Sequence, residues 1–186
     1  MSRLAELTGK VDAFFARVTE RHGADMQCGT GCSDCCQVQL TITGVEAAAI
    51  RAHVATWPTE RRRRLAGSDP AGPGTTRCAA LDAAGRCKIY EARPLVCRSH
   101  GAPIRLGRGP LAVVQSCHRN FTRTRPDPDC VLEQGTLSAM LLVVDATEAP
   151  TARDAPGRDA CDAPGAGAPP GNHVDLAGLL AELAAI

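Results

Sequence analysis

Ten cysteines in 186 residues are the side chains of this sequence best suited to chemistry. Eight of them form a set in which four fall within nine residues and four follow at wider spacing: Cys28, Cys32, Cys35, Cys36, Cys78, Cys87, Cys97 and Cys117. Thiolates three or four residues apart in a turn can converge on one metal ion, while the backbone amides of nearby glycines donate to sulfur. We therefore predict that these eight cysteines bind zinc or iron.

The adjacent pair Cys35 and Cys36 bears on how many metal sites there are. Neighbouring side chains tend to diverge, so the pair predicts one thiolate for each of two sites, or a thiolate that bridges two metals. Eight thiolates are enough for two tetrahedral four-cysteine sites, or for one iron–sulfur cluster plus a zinc. The sequence leaves both divisions open.

Three other uses of cysteine compete with metal binding. The even number permits a disulfide framework, but residues 1–10 carry charges throughout and have no apolar signal-peptide core, so we expect a cytoplasmic protein with reduced thiols. A redox role rests on Cys32-Ser-Asp-Cys35, which lacks a thioredoxin-type context and leaves Cys36 unexplained. Buried free thiols would explain a single cysteine better than four within nine residues.

Basic side chains close to the later cysteines are candidates for balancing thiolate charge. A divalent metal with four thiolates carries a formal charge of −2, and each of these bases lies within four residues of a later cysteine: Arg86, Lys88, Arg93 and Arg98. The alternative is that they are ordinary surface bases. We predict that at least some of them offset the charge of the thiolates.

The remaining cysteines and the histidines are assigned by their neighbours in sequence. His100 and His118 lie next to the cysteine set, and we expect them to form hydrogen bonds around the metal rather than to bind it. Cys130 is a reserve ligand candidate, whereas Cys161 falls in a predicted linker and is not expected to be a ligand. The other histidines are predicted to be surface residues: His22, His53 and His173.

Composition limits both the core and the partners. Aromatic residues make up 3% of the chain, so the core must consist mainly of Ala, Leu and Val and needs an additional organising element such as metal. The net charge of +1 provides no field that attracts nucleic acid or an anionic membrane. The run Arg61 to Arg64 lacks an aromatic platform and predicts a solvated surface. We expect a metal ion as partner, no membrane, no nucleic acid, and a protein partner that the sequence does not identify.

The elements that must position the cysteines follow from periodicity and capping signals. A helix is predicted over residues 3–22, with an apolar stripe that packs on the domain: Leu4, Leu7, Val11, Phe14, Phe15 and Val18. A short strand is predicted over residues 38–42, and a capping box of Thr43 and Glu46 then opens a second helix. A hairpin is predicted around residues 78–90, turning between residues 82 and 85.

Further elements are predicted around the last two cysteines of the set. A short helix is predicted to start at Glu91-Ala-Arg-Pro94, with Pro94 in its first turn, and to turn Leu95 and Val96 inward and position Cys97. A second hairpin over residues 104–114 leads to Cys117. Beyond it, Thr136 is predicted to cap a helix with one apolar face: Leu137, Met140, Leu141 and Val144.

These elements predict a small, irregular, α-rich α+β domain, organised by metal, with short hairpins between helices. We assign residues 1–145 to the cysteine-cluster domain and residues 146–171, rich in Pro, Gly and Ala, to a linker. Residues 172–186 are predicted to form a C-terminal helix that docks back on the domain.

Three segments carry a resemblance to a known family: Cys28-Gly-Thr-Gly-Cys-Ser-Asp-Cys-Cys36, Gly85-Arg-Cys-Lys-Ile-Tyr-Glu-Ala-Arg-Pro-Leu-Val-Cys-Arg98 and Ser116-Cys-His-Arg-Asn-Phe121. They resemble the YkgJ-like cysteine-cluster family, a zinc- or iron-chelating domain with a CxxxCxxCC signature, over residues 25–121. The resemblance implies that all eight cysteines of the set are ligands. Cys117-His118 departs from the commoner Cys-Pro of that family and leaves the role of His118 open.

Two functions are consistent with these observations. The first, which we favour, is a non-enzymatic zinc or iron protein whose thiolate sites organise the fold, because saturated thiolate sites are closed and mostly structural. The second is an iron–sulfur or metal-dependent enzyme that modifies protein side chains, similar to the flagellin lysine N-methylases, which share the cysteine motif but are considerably longer.

Overall fold

The computed structural model describes residues 1–29, 31–65, 76–107, 109–149 and 173–186. Most of the predicted linker, including Cys161, lies outside the described residues. Among the described residues, the helices are α1 (Arg3–His22), α2 (Gly44–Ala55), α3 (Thr59–Arg63), α4 (Leu95–Ser99), α5 (Gln134–Glu148) and α6 (Leu176–Ala184). The strands are β1 (Thr41–Thr43), β2 (Ile104–Leu106), β3 (Val113–Gln115), β4 (Leu132–Glu133) and β5 (His173–Asp175). The predicted α-rich α+β class is confirmed.

Helix α1 forms where the apolar periodicity predicts it. Ser2 caps its N-terminus by accepting a hydrogen bond from the Ala5 amide at 3.1 Å. The stripe residues Leu4, Leu7 and Val11 are buried against Leu95 of α4 and the apolar face of α5. The Asp12 carboxylate accepts two hydrogen bonds from Arg98 Nη1, at 2.8 and 3.1 Å, so a partly buried ion pair also joins α1 to α4.

Helix α2 begins at the predicted capping residues and is tied to two other helices. Glu46 Oε2 accepts hydrogen bonds from the Thr43 amide at 3.1 Å and the Thr43 hydroxyl at 2.8 Å. Its other oxygen accepts from the Leu95 amide at 2.8 Å, at the start of α4. Asp145 of α5 accepts from the Val45 amide at 2.8 Å. N–H groups at two helix starts, which have no acceptor within their own helix, are thereby satisfied by buried carboxylates.

The C-terminal residues pack on the rest of the chain. Strand β5 pairs antiparallel with β1, with Ile42 opposite Val174. Asp175 then caps α6 by accepting from the Gly178 amide at 2.7 Å. The buried face of α6 enters the same core cluster as Ile50 and Val54 of α2: Leu176, Leu179, Leu180 and Leu183. This cluster also contains Cys78, and Cys36 and Cys87 pack against it.

A second, three-stranded sheet positions the chain around the last cysteine of the set. Strand β2 lies at its centre, antiparallel to β3 and parallel to β4. The predicted hairpin over residues 104–114 is thus observed, and it leads directly to Cys117. The first predicted hairpin is reduced to one bridge between Leu81 and Cys87, with a turn closed by the Gly85 amide on the Asp82 carbonyl at 3.0 Å.

Several sequence-based details are wrong. The first strand is β1, so Val38 lies before it and is exposed. Val96 is 46% exposed, because consecutive residues of a helical turn point about 100° apart and only Leu95 faces the core. Helix α5 begins at Gln134, so Thr136 is inside it, and Met140 is exposed. The same helix continues to Glu148, beyond the predicted domain end at residue 145.

Among the described residues, none of the helices combines the length and the apolar character needed to cross a bilayer.

Candidate metal centre

Seven of the eight cysteines of the set line one cavity of about 430 Å³. They come from three separate stretches of the chain: Cys28, Cys32, Cys35, Cys36, Cys78, Cys87 and Cys97. His100, Arg93 and Tyr90 also line this cavity, together with apolar side chains that include Val38 and Val96. The fold therefore brings thiols that are up to about 70 residues apart in sequence to one place. The nine cysteines among the described residues form no disulfide.

The first four cysteines of the set, which we call the early quartet, lie on a loop that ends in a 3₁₀ turn, Asp34–Cys36. They are Cys28, Cys32, Cys35 and Cys36. The Cys32 amide donates to the Gly29 carbonyl at 3.1 Å, and the Cys36 amide donates to Ser33 at 2.9 Å. The sulfurs of Cys35 and Cys36 are 3.8 Å apart. The prediction that these adjacent side chains diverge is therefore wrong, since the tight turn folds both thiols to the same side. Two sulfurs on one tetrahedral zinc would be separated by about the same distance, roughly 3.8 Å for Zn–S bonds of about 2.3 Å.

Cys28 is held by residues that follow α4 and β3. Asn120 Nδ2 donates to the Cys28 sulfur at 3.2 Å and to the Gly101 carbonyl at 2.7 Å. Its Oδ1 accepts from the Gln27 amide at 2.8 Å, and the whole residue is buried. Gly101 has a φ of +95°, and a Cβ at this position would overlap the Cys28 sulfur. Gly101 thus leaves room for the Cys28 sulfur, and Asn120 orients it.

Cys117 does not line the cavity but lies beside Cys28. Its carbonyl accepts from the Asn120 amide at 2.8 Å, so the residue that donates to Cys28 is anchored on Cys117. The two residues after Cys117 contact Asp34, which lies on the loop that carries the early quartet. Arg119 Nε is 2.6 Å and His118 Nε2 is 3.3 Å from Asp34 Oδ2. The loop around Cys117 is thereby joined to the turn that carries Cys35 and Cys36.

Cys78 and Cys87 approach from the loop that precedes α4. The Cys78 amide donates to the Cys36 carbonyl at 2.8 Å, which joins this loop to the early quartet. The Leu81 amide donates to the Cys78 carbonyl at 3.1 Å, and Leu81 forms the bridge with Cys87. Cys97 comes from α4, which Glu46 and the Asp12–Arg98 ion pair hold in place.

The thiols that raise one another's pKa form two overlapping sets, and Cys35 acts in both. Burial raises the pKa of Cys28, as do the nearby thiols Cys117, Cys32 and Cys35, while the Asn120 hydrogen bond lowers it. We call Cys28, Cys32, Cys35 and Cys117 the outer group.

The inner group is defined as Cys36, Cys78, Cys87 and Cys97. Burial raises the pKa of Cys97 to about 12, and the nearby Cys78, Cys87 and Cys35 act in the same direction. The hydrogen bond with Cys35 raises the pKa of Cys36, and burial, Cys35, Cys78 and Cys97 raise it further. The same bond lowers the pKa of Cys35 to about 6, with His100 acting in the same direction. Cys35 therefore interacts with both groups, and the vicinal pair lies where the two groups meet.

The four basic side chains near the later cysteines have different partners. Arg86 pairs with Asp82 at 3.0 Å and Arg98 pairs with Asp12 at 2.8 Å, so carboxylates already balance both charges. Lys88 donates to the Leu65 carbonyl, and it lowers the pKa of Cys78 against the larger effect of burial. Arg93 stacks on Tyr90 and acts similarly on Cys87, where burial again dominates. Lys88 and Arg93 are therefore the bases that favour thiolates.

Among the described residues, one group of three Cys, His, Asp or Glu residues places its ligand atoms all within 4.8 Å of one another: His22, Asp127 and Cys130. The eight cysteines form no such group. The sequence did not indicate this triad, because His22 was predicted to be a surface residue and only Cys130 was a ligand candidate.

Fold and site together define a small cysteine-cluster domain. The family model CxxCxxCC, described as a zinc- or iron-chelating domain, matches residues 27–130. This is more than half of the chain, so the chain belongs to this family, and the resemblance predicted from the motifs is confirmed. No curated protein and no solved structure matches the chain.

The residues present suit a zinc or iron ion. Thiolates are the ligands that both ions accept in four-sulfur sites, and eight thiols are available. The positive φ of Gly101 and the absence of a Cβ leave space beside the Cys28 sulfur. The Asn120 amide donates to that sulfur, as outer-shell groups commonly do for metal ligands.

Proposed function

We propose that the outer and inner groups each bind one zinc or iron centre through four thiolates, and that the bound metal organises this part of the fold. The observation that carries the proposal is the meeting of seven cysteines around one cavity, with the eighth linked to it through Asn120. A bound ion would balance thiolate charge and cross-link the loops. Binding would draw the sulfurs closer together, which is how metal binding couples to folding.

Cys35 and Cys36 have a particular place in this proposal. Their sulfurs are 3.8 Å apart, a distance that allows both to bind one ion, and with one thiolate in each group the pair would instead connect two neighbouring centres. A shared thiolate at this position would give a binuclear arrangement, whereas separate thiolates would give two mononuclear ones. The metal-to-protein ratio and the spectrum of the bound metal distinguish these arrangements.

The experiment is elemental analysis of the full chain purified without oxygen. We expect about two metal ions per chain for two mononuclear sites, and more if one group holds an iron–sulfur cluster. Visible thiolate-to-iron absorption would identify iron, and colourless protein that releases zinc on thiol modification would identify zinc. A metal-to-protein ratio near zero would refute the proposal.

Single substitutions test the ligand set. Cys28→Ser should lower metal content mainly through the outer group and Cys97→Ser through the inner group, while Cys35→Ser should affect both. Cys161→Ser is the matched control and should bind as much metal as the unchanged chain. Equal metal content in all four variants would contradict the assignment.

A second candidate function is an iron–sulfur or metal-dependent enzyme that acts on protein side chains. It is favoured by the volume of the cavity, which is larger than two ions require, and by the apolar side chains in its wall. Val96 lines the cavity and is 46% exposed. The substitution Val96→Arg should therefore fill part of the cavity and block the binding of a partner's side chain. If the protein is purely structural, this variant should keep its metal and any partner.

Metal binding by thiolates bears on where the protein works. We propose the cytoplasm, because thiolate sites of this kind require a reducing compartment. Mass spectrometry of thiols alkylated inside intact cells would test this, and disulfide-linked peptides from the cavity would contradict it.

A further inference from the structure

A second group of potential ligands lies where the end of α1 meets the 3₁₀ turn Pro128–Cys130. One ligand atom from each of His22, Asp127 and Cys130 lies within 4.8 Å of those from the other two. Cys130 is fully buried, the His22 side chain is 13% exposed and the Asp127 side chain is 55% exposed. Among the described residues that line the cysteine cavity, none belongs to this triad. The triad is therefore a different place in the molecule from the candidate metal centre.

The surroundings hold the three side chains in position. The His22 ring lies edge-on to Phe121, with 5.2 Å between ring centroids. The Cys130 amide donates to the Asp127 carbonyl at 2.9 Å, which fixes the turn. Phe14, Val18 and other apolar residues enclose Cys130 in a small core cluster. Such packing places the ligand atoms before any ion arrives.

The ring nitrogen Nε2 of His22 faces Asp127. It accepts a hydrogen bond from the Asp127 amide at 3.3 Å and lies 3.4 Å from Asp127 Oδ2. The same nitrogen of a neutral imidazole is a common ligand of metal ions, and here it already lies beside a carboxylate oxygen. An ion would replace the long contact with the amide.

The charged side chains around the triad are compatible with a bound cation, because the nearby arginine is already paired with a carboxylate. The basic side chain of Arg21 lies close to the triad, and its Nη1 is 3.9 Å from Asp127 Oδ2 but only 2.5 Å from Asp129 Oδ2. Its charge is thus balanced mainly by Asp129. The Asp127 carboxylate, together with a Cys130 thiolate, would supply two negative charges to a divalent ion.

We propose that His22, Asp127 and Cys130 form a separate binding site for a zinc-type divalent ion. Sulfur, imidazole nitrogen and carboxylate oxygen are the three ligand types that zinc uses, whereas magnesium and calcium select oxygen alone. Binding releases the thiol proton of Cys130 to solvent and forms one bond to each ligand. Three protein ligands leave a fourth position for water.

The test is a zinc titration of the full chain against a chromophoric chelator, after the metal already present has been measured. The unchanged chain should bind one additional equivalent, and His22→Gln and Asp127→Asn should each weaken it by more than the roughly 10- to 100-fold typical of an outer-shell change. Asp25→Asn removes a carboxylate three residues from His22 and serves as the matched control, with unchanged binding expected. Equal affinity in all four proteins would overturn the proposal.

A second readout does not depend on the cysteine cavity. Zinc should shift the ¹⁵N resonance of His22 Nε2 in the unchanged chain, and Asp127→Asn should reduce this shift at the same zinc concentration. Because Asp127 is exposed, this variant should keep its fold, which circular dichroism would check. A His22 resonance that does not respond to zinc would refute the site even if the cavity binds metal normally.

Discussion

Two residues without a thiol determine the position of the Cys28 sulfur. Gly101 leaves the space that the sulfur occupies, and Asn120 donates to it from a buried side chain. Asn120 also joins the Gln27 amide and the Gly101 carbonyl, so one amide group connects three segments of the chain. Loss of either residue should therefore affect metal binding as well as stability.

Gly101→Ala is expected to destabilise the protein by about 1–3 kcal/mol, because alanine is strained at a φ of +95° and its Cβ would displace the Cys28 sulfur. Urea denaturation and metal analysis would measure the two effects. Gly9→Ala is the control: a Cβ there has no neighbour within 4 Å among the described residues, and it should stabilise α1 by about 0.5–1 kcal/mol. Similar changes in both variants would contradict the role of Gly101.

Asn120→Asp separates hydrogen bonding to sulfur from packing. The variant keeps an acceptor for the Gln27 amide but loses the donor to Cys28 and places negative charge beside a thiolate. We expect metal affinity to fall by about 10- to 100-fold, as for other outer-shell partners. Competition with a chelator would measure it. Gln134→Glu makes the same change at an exposed amide, and a loss of affinity there would show that the effect is not specific.

At the scale of elements, the site depends on how α4 is held. Glu46 accepts from the first amide of α4 and from Thr43 at the start of α2, and it is buried. Arg98 of α4 is joined to Asp12 of α1. A five-residue helix is too short to be stable alone, so these contacts keep Cys97 at the cavity.

Glu46→Gln should cost about 1–3 kcal/mol, because one amide oxygen cannot serve the donors of both helices and the new NH₂ group faces an N–H. Urea denaturation with metal bound would measure this loss. Hydrogen exchange should also speed up at the Leu95 amide. Glu60→Gln is the matched control on an exposed helix, where we expect a change of less than about 0.5 kcal/mol. Unchanged exchange at Leu95 would contradict the coupling.

At the scale of the whole molecule, the cysteine cavity lies against the core cluster that α2 and α6 form. Cys78 is a member of the cluster built by α2 and α6, and Cys36 and Cys87 pack on it. The outer group instead adjoins residues that follow β3 and α4. Apolar packing therefore supports the inner group more strongly than the outer group, even before metal is considered.

Metal removal by a chelator should consequently loosen the molecule unevenly. Hydrogen exchange should accelerate most in residues 28–36 and 117–121 and least in α2 and α6, whose side chains remain packed. Stability should fall by about 4 kcal/mol if free metal had been present at roughly 1,000 times its dissociation constant. Uniform acceleration across the chain, or none, would contradict a localised organising role.

Local signals in the sequence were sufficient for much of the fold. The three- and four-residue periodicity of α1, the capping box of α2 and the turn residues around the second hairpin depend on neighbours in sequence, so they were predicted correctly. Which side of a helix is buried depends on contacts with distant segments, and here the predictions failed. Val96 and Met140 were predicted to face the core but are exposed.

The sequence by itself determined that eight cysteines resemble a metal ligand set and that the domain is α-rich. Only the tertiary structure decided which thiols are neighbours, that Cys35 and Cys36 converge, and that His22 meets Asp127 and Cys130. The physical reason is that ligand chemistry resides in residue types and short spacings. Which side chains meet depends on burial and hydrogen bonds between segments about 100 residues apart, which local patterns do not encode.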